Sequence, residues 1–159
     1  MLLERLPAWA THLRSRAVLR TRPKFYFTNP SLALASLRTS PTRLLKDLAL
    51  RGQLFENLVM RDLLVYAQHC DASVSFYRDN NGLDVDAIIE HADGRWIACE
   101  IKLGHDAIDA AASTLHRFEN VVDTSRKGEP HALAVITATG HAHTRSDGVH
   151  VVPIGTLGV

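Results

Sequence analysis

The sequence predicts one mixed α/β domain, with a central sheet of four to five strands flanked by helices. Its 159 residues are about the length of a single domain. With 46% hydrophobic and 22% charged residues, the composition is that of a folded globular protein and excludes a disordered or collagen-like chain. One strong helix pattern is followed by three strand patterns, a second helix and further strands, an order typical of a sheet covered by helices.

The sequence of residues 1–28 predicts a short, basic, extended segment that is too small to bury a core of its own. The aromatic run Phe25-Tyr26-Phe27 favours a strand over a helix. Two helix-start signals follow, Asn29-Pro30 and Ser40-Pro41, because Asn and Ser cap helices and Pro fits the first turn. We therefore divide the chain into this segment and a main domain over residues 29–159.

The regular elements of the main domain follow from hydrophobic spacing and turn residues. The strongest helix pattern covers residues 53–68, with no Pro or Gly inside it. Asn80-Asn81-Gly82 and Asp93-Gly94 predict tight hairpin turns. Residues 106–122 predict an amphipathic helix. Strands are expected at residues 74–77, 83–90, 95–103, 132–137 and 149–153.

The net charge of +1 is the sum of a basic first third and an acidic remainder. Residues 1–51 hold ten Lys/Arg and two Asp/Glu, whereas residues 52–159 hold eight and fifteen. Such a split indicates a polyanion partner, or one part of the chain neutralising the other. A solvated basic face is an equally open interpretation. The basic residues of the first segment include Arg14, Arg16, Arg20, Arg22 and Lys24.

The apolar runs are far shorter than the roughly 20 residues that a membrane span needs. The first residues lack the apolar stretch of a secretory signal. Two cysteines, Cys70 and Cys99, are too few for a disulfide framework, and we expect both to be small core residues. A cytoplasmic protein without membrane contact is therefore expected.

Three elements carry acidic residues where apolar residues are expected. On a helix, Leu63 lies about 20° around the axis from Glu56, which places this carboxylate on the apolar face. Asp86 lies among apolar neighbours in a strand, where Asp is depleted. Glu100 and Lys102 share one face of the next strand. Taken singly, each has an ordinary interpretation: a buried salt bridge, a solvated strand face, or a surface ion pair.

Taken together, these residues can converge on one cleft. Clustered carboxylates repel one another and call for a hard divalent cation with oxygen ligands, Mg²⁺ or Mn²⁺. A neighbouring lysine can orient a water, and such a set of groups is suited to metal-assisted hydrolysis of a phosphodiester. A zinc site at His141 and His143, with the nearby His150 as a third ligand, is the weaker alternative, because His141 and His143 fall in a polar loop.

Glu56, Asp84-Val85-Asp86 and Glu100-Ile101-Lys102 resemble the motifs of the PD-(D/E)XK, restriction-endonuclease-like superfamily. Together with Leu54-Phe55-Glu56-Asn57 and Tyr77-Arg78-Asp79, they are similar to the carboxy-terminal domain of bacterial and archaeal AAA-type ATPases of unknown function. The resemblance implies a restriction-endonuclease-like sheet and a nuclease-like domain over residues 29–159. It also implies that residues 1–28 are the remnant of a winged-helix region.

The resemblance implies a role for each matching residue. Asp86 and Glu100 would be metal ligands, the backbone carbonyl of Ile101 would join them, and Glu56 would be the helical acidic residue of the site. Lys102 would be the catalytic lysine. Arg78 would contact phosphate, although an ion pair with Asp79 or Asp84 is an equally open interpretation.

The expected activity is Mg²⁺-dependent hydrolysis of nucleic acid, with DNA favoured as the substrate. The chain contains no Gly-x-x-x-x-Gly-Lys-Ser/Thr motif, so an ATPase would have to be a partner or a further domain. The alternative is a catalytically silent module of the same fold that binds nucleic acid or a protein partner.

Overall fold

A six-stranded mixed sheet forms the frame of the fold, and helices pack on both of its faces. The computed structural model describes residues 3–11, 22–37 and 40–158. The strands are β1 (Leu3–Leu6), β2 (Lys24–Phe27), β3 (Ala72–Arg78), β4 (Asp84–His91), β5 (Trp96–Lys102), β6 (Ala132–Thr137), β7 (His143–Thr144) and β8 (His150–Pro153). The helices are α1 (Pro30–Leu37), α2 (Pro41–Lys46), α3 (Leu48–His69), α4 (Ile108–Val121) and α5 (Thr124–Lys127).

The strand order in the main sheet is β3-β4-β5-β6-β8-β7. β3, β4 and β5 form an antiparallel meander, β5, β6 and β8 run parallel, and β7 is antiparallel to β8. The mixed α/β sheet flanked by helices is confirmed. The sixth strand, β7, was not expected, because its two exposed residues carry no hydrophobic pattern.

The helix starts follow the predicted caps. The Ser40 side chain accepts a hydrogen bond from the Arg43 N–H, and α2 begins at the next residue. The principal helix, α3, begins at Leu48, five residues before the predicted start, because the Asp47 carboxylate caps the Leu50 N–H at 2.9 Å. Gly52 therefore lies inside the helix, at a cost of about 1 kcal/mol relative to Ala.

Two hydrophobic clusters lie on opposite faces of the sheet. Against α4, Trp9, Tyr77, Trp96 and Phe118 form an aromatic group, in which the rings of Trp9 and Trp96 are 5.0 Å apart. The second cluster packs the sheet against α3. It includes Val59, Met60, Leu63, Phe76 and Cys99. Cys99 is buried as expected, but Cys70 is exposed, because it caps the carboxy end of α3 beyond the last packed turn.

The amino-terminal strands lie against the outer edge of the sheet. β1 and β2 pair antiparallel in a separate two-stranded sheet, which confirms the strand expected at the aromatic run. The Trp9 N–H donates to the Phe76 carbonyl at 2.7 Å, and the Phe76 N–H donates to the Pro7 carbonyl at 3.0 Å. Arg14, Arg16 and Arg20 lie outside the described residues.

Across the described ranges, no helix combines the length and the apolar character that crossing a membrane requires.

Candidate active site

The two central strands of the meander separate at the candidate residues. β4 and β5 pair from Glu90 and Trp96 to Ala87 and Cys99, and the ladder ends there. The next residues along the two strands are Asp86 and Glu100. The Asp86 carboxylate takes the place of a backbone acceptor, because its Oδ2 accepts the Ile101 N–H at 2.9 Å. The candidate site therefore begins where the backbone pairing stops.

An irregularity in β4 directs the Asp86 side chain. Between Val85 and Ile88, β4 has one residue more than the facing stretch of β3. Val85 and Ile88 consequently both pack in the cluster against α4, whereas Ala87 packs in the cluster against α3. Such a bulge interrupts the ladder and changes the direction of a side chain. Asp86 lies within this bulge, next to the point where β4 leaves β5.

Lys102 joins the two carboxylates of the opened strands. Its Nζ lies 2.6 Å from Glu100 Oε2 and 3.3 Å from Asp86 Oδ2. Glu100 is only 4% exposed, and its second oxygen, Oε1, is buried without a hydrogen-bond partner among the described groups. Since buried polar atoms are nearly always paired, this oxygen is the unusual feature of the site.

The buried charges shift one another's ionisation. Burial, reinforced by the charge of Asp86, raises the pKa of Glu100 to about 7. Burial opposes the charge on Lys102, but the two carboxylates outweigh it and raise the pKa of this ammonium. Burial and Asp86 likewise raise the pKa of Glu56. The cluster therefore holds more negative charge than Lys102 compensates.

Glu56 approaches Asp86 from α3. Its Oε1 accepts a hydrogen bond from the Tyr26 hydroxyl at 2.7 Å, and burial next to this carboxylate raises the pKa of Tyr26 above its ordinary value. Glu56 and Asp86 both line a cleft of about 570 Å³ between β2, α3 and the start of β4. The structure thus brings Glu56 and Asp86 to one cleft. Glu100 and Lys102 are not among the residues that line it, and the Lys102 ammonium links Glu100 to Asp86.

Asn57 attaches β2 to α3 beside this cleft. Its Oδ1 accepts the Phe27 N–H at 2.8 Å, and its Nδ2 donates to the Phe27 carbonyl at 2.7 Å. The side chain is 7% exposed. Sequence reasoning assigned no role to Asn57 or to Tyr26 in holding the site. A signal was present for Asn57, because it is a second polar residue in a strongly apolar stretch of helix.

Arg78 makes an ion pair with Asp84, one of the two pairings considered from sequence. Its Nε donates to Asp84 Oδ2 at 2.8 Å, and Lys24 Nζ lies 3.2 Å from Asp84 Oδ1. The other candidate, Asp79, is 2% exposed and caps the hairpin by accepting the N–H groups of Asn81 and Leu83. Arg78 and Lys24 both line the cleft, so a phosphate contact stays a prediction.

The histidine side chains of the alternative zinc site contact groups that are nearby in the chain. His143 Nδ1 lies 2.9 Å from the His141 carbonyl, and His150 Nδ1 lies 2.9 Å from Thr144 Oγ1. Within the described residues, no three His, Cys, Asp or Glu side chains are gathered into a ready-made metal site. At the strand opening the donors are two carboxylates on either side of Lys102.

The fold and this site define a class of protein: a mixed α/β domain with a carboxylate–lysine cluster where two central strands separate. The chain belongs to the family described as domain of unknown function DUF4143, which matches residues 51–157. Domains of this family are often found at the carboxy terminus of AAA ATPases. The match spans every candidate residue from Glu56 to Lys102. No curated protein and no solved structure matches the chain.

Proposed function

We propose that this domain hydrolyses phosphodiester bonds of nucleic acid with the help of Mg²⁺ or Mn²⁺. The observation that carries the proposal is the buried Glu100 Oε1, which has no partner among the described groups although it lies beside a second carboxylate. An unpaired buried oxygen costs free energy, and more so when it is charged. A divalent cation is the partner that a pair of buried carboxylates fits.

The donor set suits Mg²⁺, which is commonly held by one or two carboxylates and keeps several of its waters. Asp86, Glu100 and the main chain of Ile101 would hold the cation, and Glu56 would support them from α3. The absence of Cys and His from this set argues against Zn²⁺. When bound, such a cation stabilises charge on the phosphate and lowers the pKa of a water.

The other residues then have defined tasks. Lys102 Nζ lies within 3.3 Å of both carboxylates and would hold the attacking water beside them. Arg78 and Lys24 would face the phosphate from the cleft wall, exchanging part of their contact with Asp84 for the substrate. Positioned cations of this kind stabilise the charge that develops on the phosphate during transfer.

A catalytically silent module is the second candidate, and the position of Lys102 is the observation that favours it. Its ammonium already contacts both carboxylates, so it offsets part of their charge without a metal. A domain of this kind would keep the fold to bind nucleic acid or an ATPase partner.

Cleavage assays with Mg²⁺ or Mn²⁺ on single- and double-stranded DNA and RNA separate the two functions. In a nuclease, Asp86→Asn and Lys102→Ala should each lower the cleavage rate by roughly 10²-fold or more, as expected for groups that stabilise a transition state. The matched controls are Asp62→Asn, at a half-buried position of α3 outside the cleft lining, and Lys46→Ala, at an exposed position of α2. Both should cleave at the wild-type rate.

Calorimetric titration with Mn²⁺ gives an independent readout. Asp86→Asn should lose Mn²⁺ binding, whereas Lys102→Ala should keep it, because an ammonium is not a ligand. Wild-type protein that binds nucleic acid but neither binds Mn²⁺ nor cleaves would establish the silent module instead. Activity that persists in Lys102→Ala would show that the cleavage belongs to another site or another protein.

A further inference from the structure

The cleft of the candidate site has two chemically different walls. The charged wall comprises the charged lining residues, which are Glu56, Asp84, Asp86, Arg78 and Lys24. The apolar wall comprises the apolar lining residues, which are Phe25, Phe27, Ala33, Leu37, Leu50 and Leu54. Hydrolysis of a phosphodiester uses only the charged wall, so the apolar wall needs a further explanation.

Phe25 is the most unusual member of the apolar wall, because 60% of its surface is exposed. It lies on β2, which is attached rigidly to α3. Asn57 holds the backbone of Phe27 on one side, and Tyr26 next to Phe25 bonds to Glu56. A large aromatic ring is therefore held at the mouth of the cleft, one residue from a group that contacts the candidate site.

The register of the two-stranded sheet places a cation beside this ring. Phe25 is paired with Arg5 of β1, and paired residues of antiparallel strands project from the same face. Arg5 is exposed, as is Arg22 shortly before β2. An exposed aromatic ring next to arginines on a strand is the arrangement with which proteins bind single-stranded nucleic acid, the ring stacking a base and the cations following the backbone.

We propose that the cleft takes an unpaired strand of nucleic acid, with one base stacked on Phe25 and the adjoining phosphodiester directed to the charged wall. The proposal rests on the proposed function and names its substrate class. In a duplex the faces of the bases are covered by their neighbours, so the Phe25 ring would find no surface on which to stack. A volume of about 570 Å³ lies in the range of small-ligand sites, about 300–1,000 Å³, which suits a nucleotide-sized group.

Fluorescence anisotropy in EDTA tests the inference without any contribution from cleavage. The probes are a labelled single-stranded DNA, an RNA of the same sequence, the corresponding DNA duplex and a fully abasic DNA of the same length. Wild-type protein should bind the single strands more tightly than the duplex. Phe25→Ala should weaken binding of the single strands by about 5- to 150-fold, the range for loss of one stacked base.

The controls separate the loss of base stacking from misfolding and from the loss of an exposed apolar side chain. Phe25→Trp should bind the single strands about as tightly as wild type does, because the larger ring can still stack on a base. Leu45→Ala, which removes an equally exposed apolar side chain of α2 outside the cleft lining, should bind as wild type does. On the abasic strand, Phe25→Ala and wild type should bind alike, since no base is present to lose.

The outcomes distinguish this inference from the nuclease proposal. Base-dependent binding through Phe25 in a protein that cleaves nothing would support the inference and refute the nuclease. Cleavage of duplex and single strands alike, with no effect of Phe25→Ala on binding, would overturn the inference and leave the nuclease standing. The inference would also be overturned if Phe25→Ala weakened binding of the abasic strand as much as it weakened binding of the intact single strand. Failure to bind any of the oligonucleotides would overturn it.

Discussion

Glu90 and Glu100 stand near opposite ends of the paired stretch of β4 and β5, and their surroundings differ in one decisive respect. Glu90 has both oxygens satisfied, since Oε2 accepts the Trp9 indole N–H at 2.6 Å and Oε1 pairs with Lys127. Glu100 has one oxygen on Lys102 and the other without a partner among the described groups.

The difference follows from what surrounds each end of the strand pair. At the Glu90 end the strand ladder continues to the hairpin, and the Trp9 indole donates to the carboxylate, so this hydrogen bond attaches the amino-terminal segment to the sheet. At the Glu100 end the strands have separated and a bulge turns Asp86 toward the same point. The satisfied carboxylate of Glu90 stabilises the fold, whereas the unsatisfied oxygen of Glu100 beside Asp86 is the feature on which the proposed metal site rests.

Truncating Trp9 should produce the largest loss of stability at the Glu90 end. The ring is 4% exposed and packs against Trp96 and Phe118 at 5.0 and 5.9 Å, so Trp9→Ala should lower the free energy of unfolding by about 3–5 kcal/mol. Phe25→Ala, at an exposed position, is the matched control and should change it by less than about 1 kcal/mol. Urea denaturation measures both.

If Trp9→Ala does not fold, Trp9→Phe still measures the contribution of Trp9 to the Glu90 end of the strand pair. It retains an aromatic ring but removes the hydrogen bond to Glu90, so a loss of roughly 1–3 kcal/mol is expected. Equal stability of Trp9→Phe, Trp9→Ala and wild type would show that the Trp9 side chain contributes nothing to the Glu90 end.

Neutralising the two carboxylates tests the comparison directly. Glu90→Gln directs an amide N–H₂ at the Lys127 ammonium or at the Trp9 N–H, so it should cost about 1–3 kcal/mol. Glu100→Gln keeps an oxygen for Lys102 and relieves repulsion with Asp86, so it should be neutral within about 0.5 kcal/mol or stabilising. Chemical denaturation without divalent cations measures the difference. An equal cost for both variants would make Glu100 a structural carboxylate like Glu90.

The pH dependence of stability tests the raised pKa of Glu100. The pKa of Glu100 is raised to about 7 in the folded protein by burial and Asp86, so the folded state binds a proton more tightly than the unfolded chain. This contribution is complete below the ordinary pKa of Glu and is lost as the pH rises through about 7. Since one pKa unit corresponds to about 1.4 kcal/mol, this contribution should amount to about 3 kcal/mol when fully present.

Thermal denaturation in EDTA between about pH 5 and pH 8 measures this dependence. Wild type should lose more stability over that range than Glu100→Gln, which has no proton to release. Glu129→Gln, at an exposed position, is the control and should follow wild type. Parallel pH profiles for wild type and Glu100→Gln would show that Glu100 does not titrate with a raised pKa.

The sequence predicted those parts of the fold that depend on neighbouring residues. The caps at Ser40 and Asn29 and the positive φ of Gly82 and Gly94 arise from local chemistry, and each lies where its pattern placed it. The helical position of Glu56 also follows from spacing alone. The roles assigned to Glu56, Asp86, Glu100, Ile101 and Lys102 stay predictions, because they concern a reaction rather than a conformation.

Strict alternation along residues 83–90 could not show the bulge at Asp86. The extra residue is defined only against the facing strand β3, whose Phe76 is itself held by residues 7–9. Trp9 likewise gave no signal of belonging to the core, because its partners Glu90, Trp96 and Phe118 are far away in the chain. Contacts of this kind depend on how distant segments pack, which a local pattern does not contain.

By itself, the sequence determined which residue types are present and which elements carry them: acidic residues on a helix and two strands, and a lysine beside one of them. Only the tertiary structure decided which carboxylates are satisfied. Glu90 received two partners from distant segments, whereas Glu100 was left with one beside an opened ladder. The physical reason is that hydrogen-bond satisfaction in a buried place depends on which groups packing brings within about 3 Å, and spacing along the chain does not define those groups.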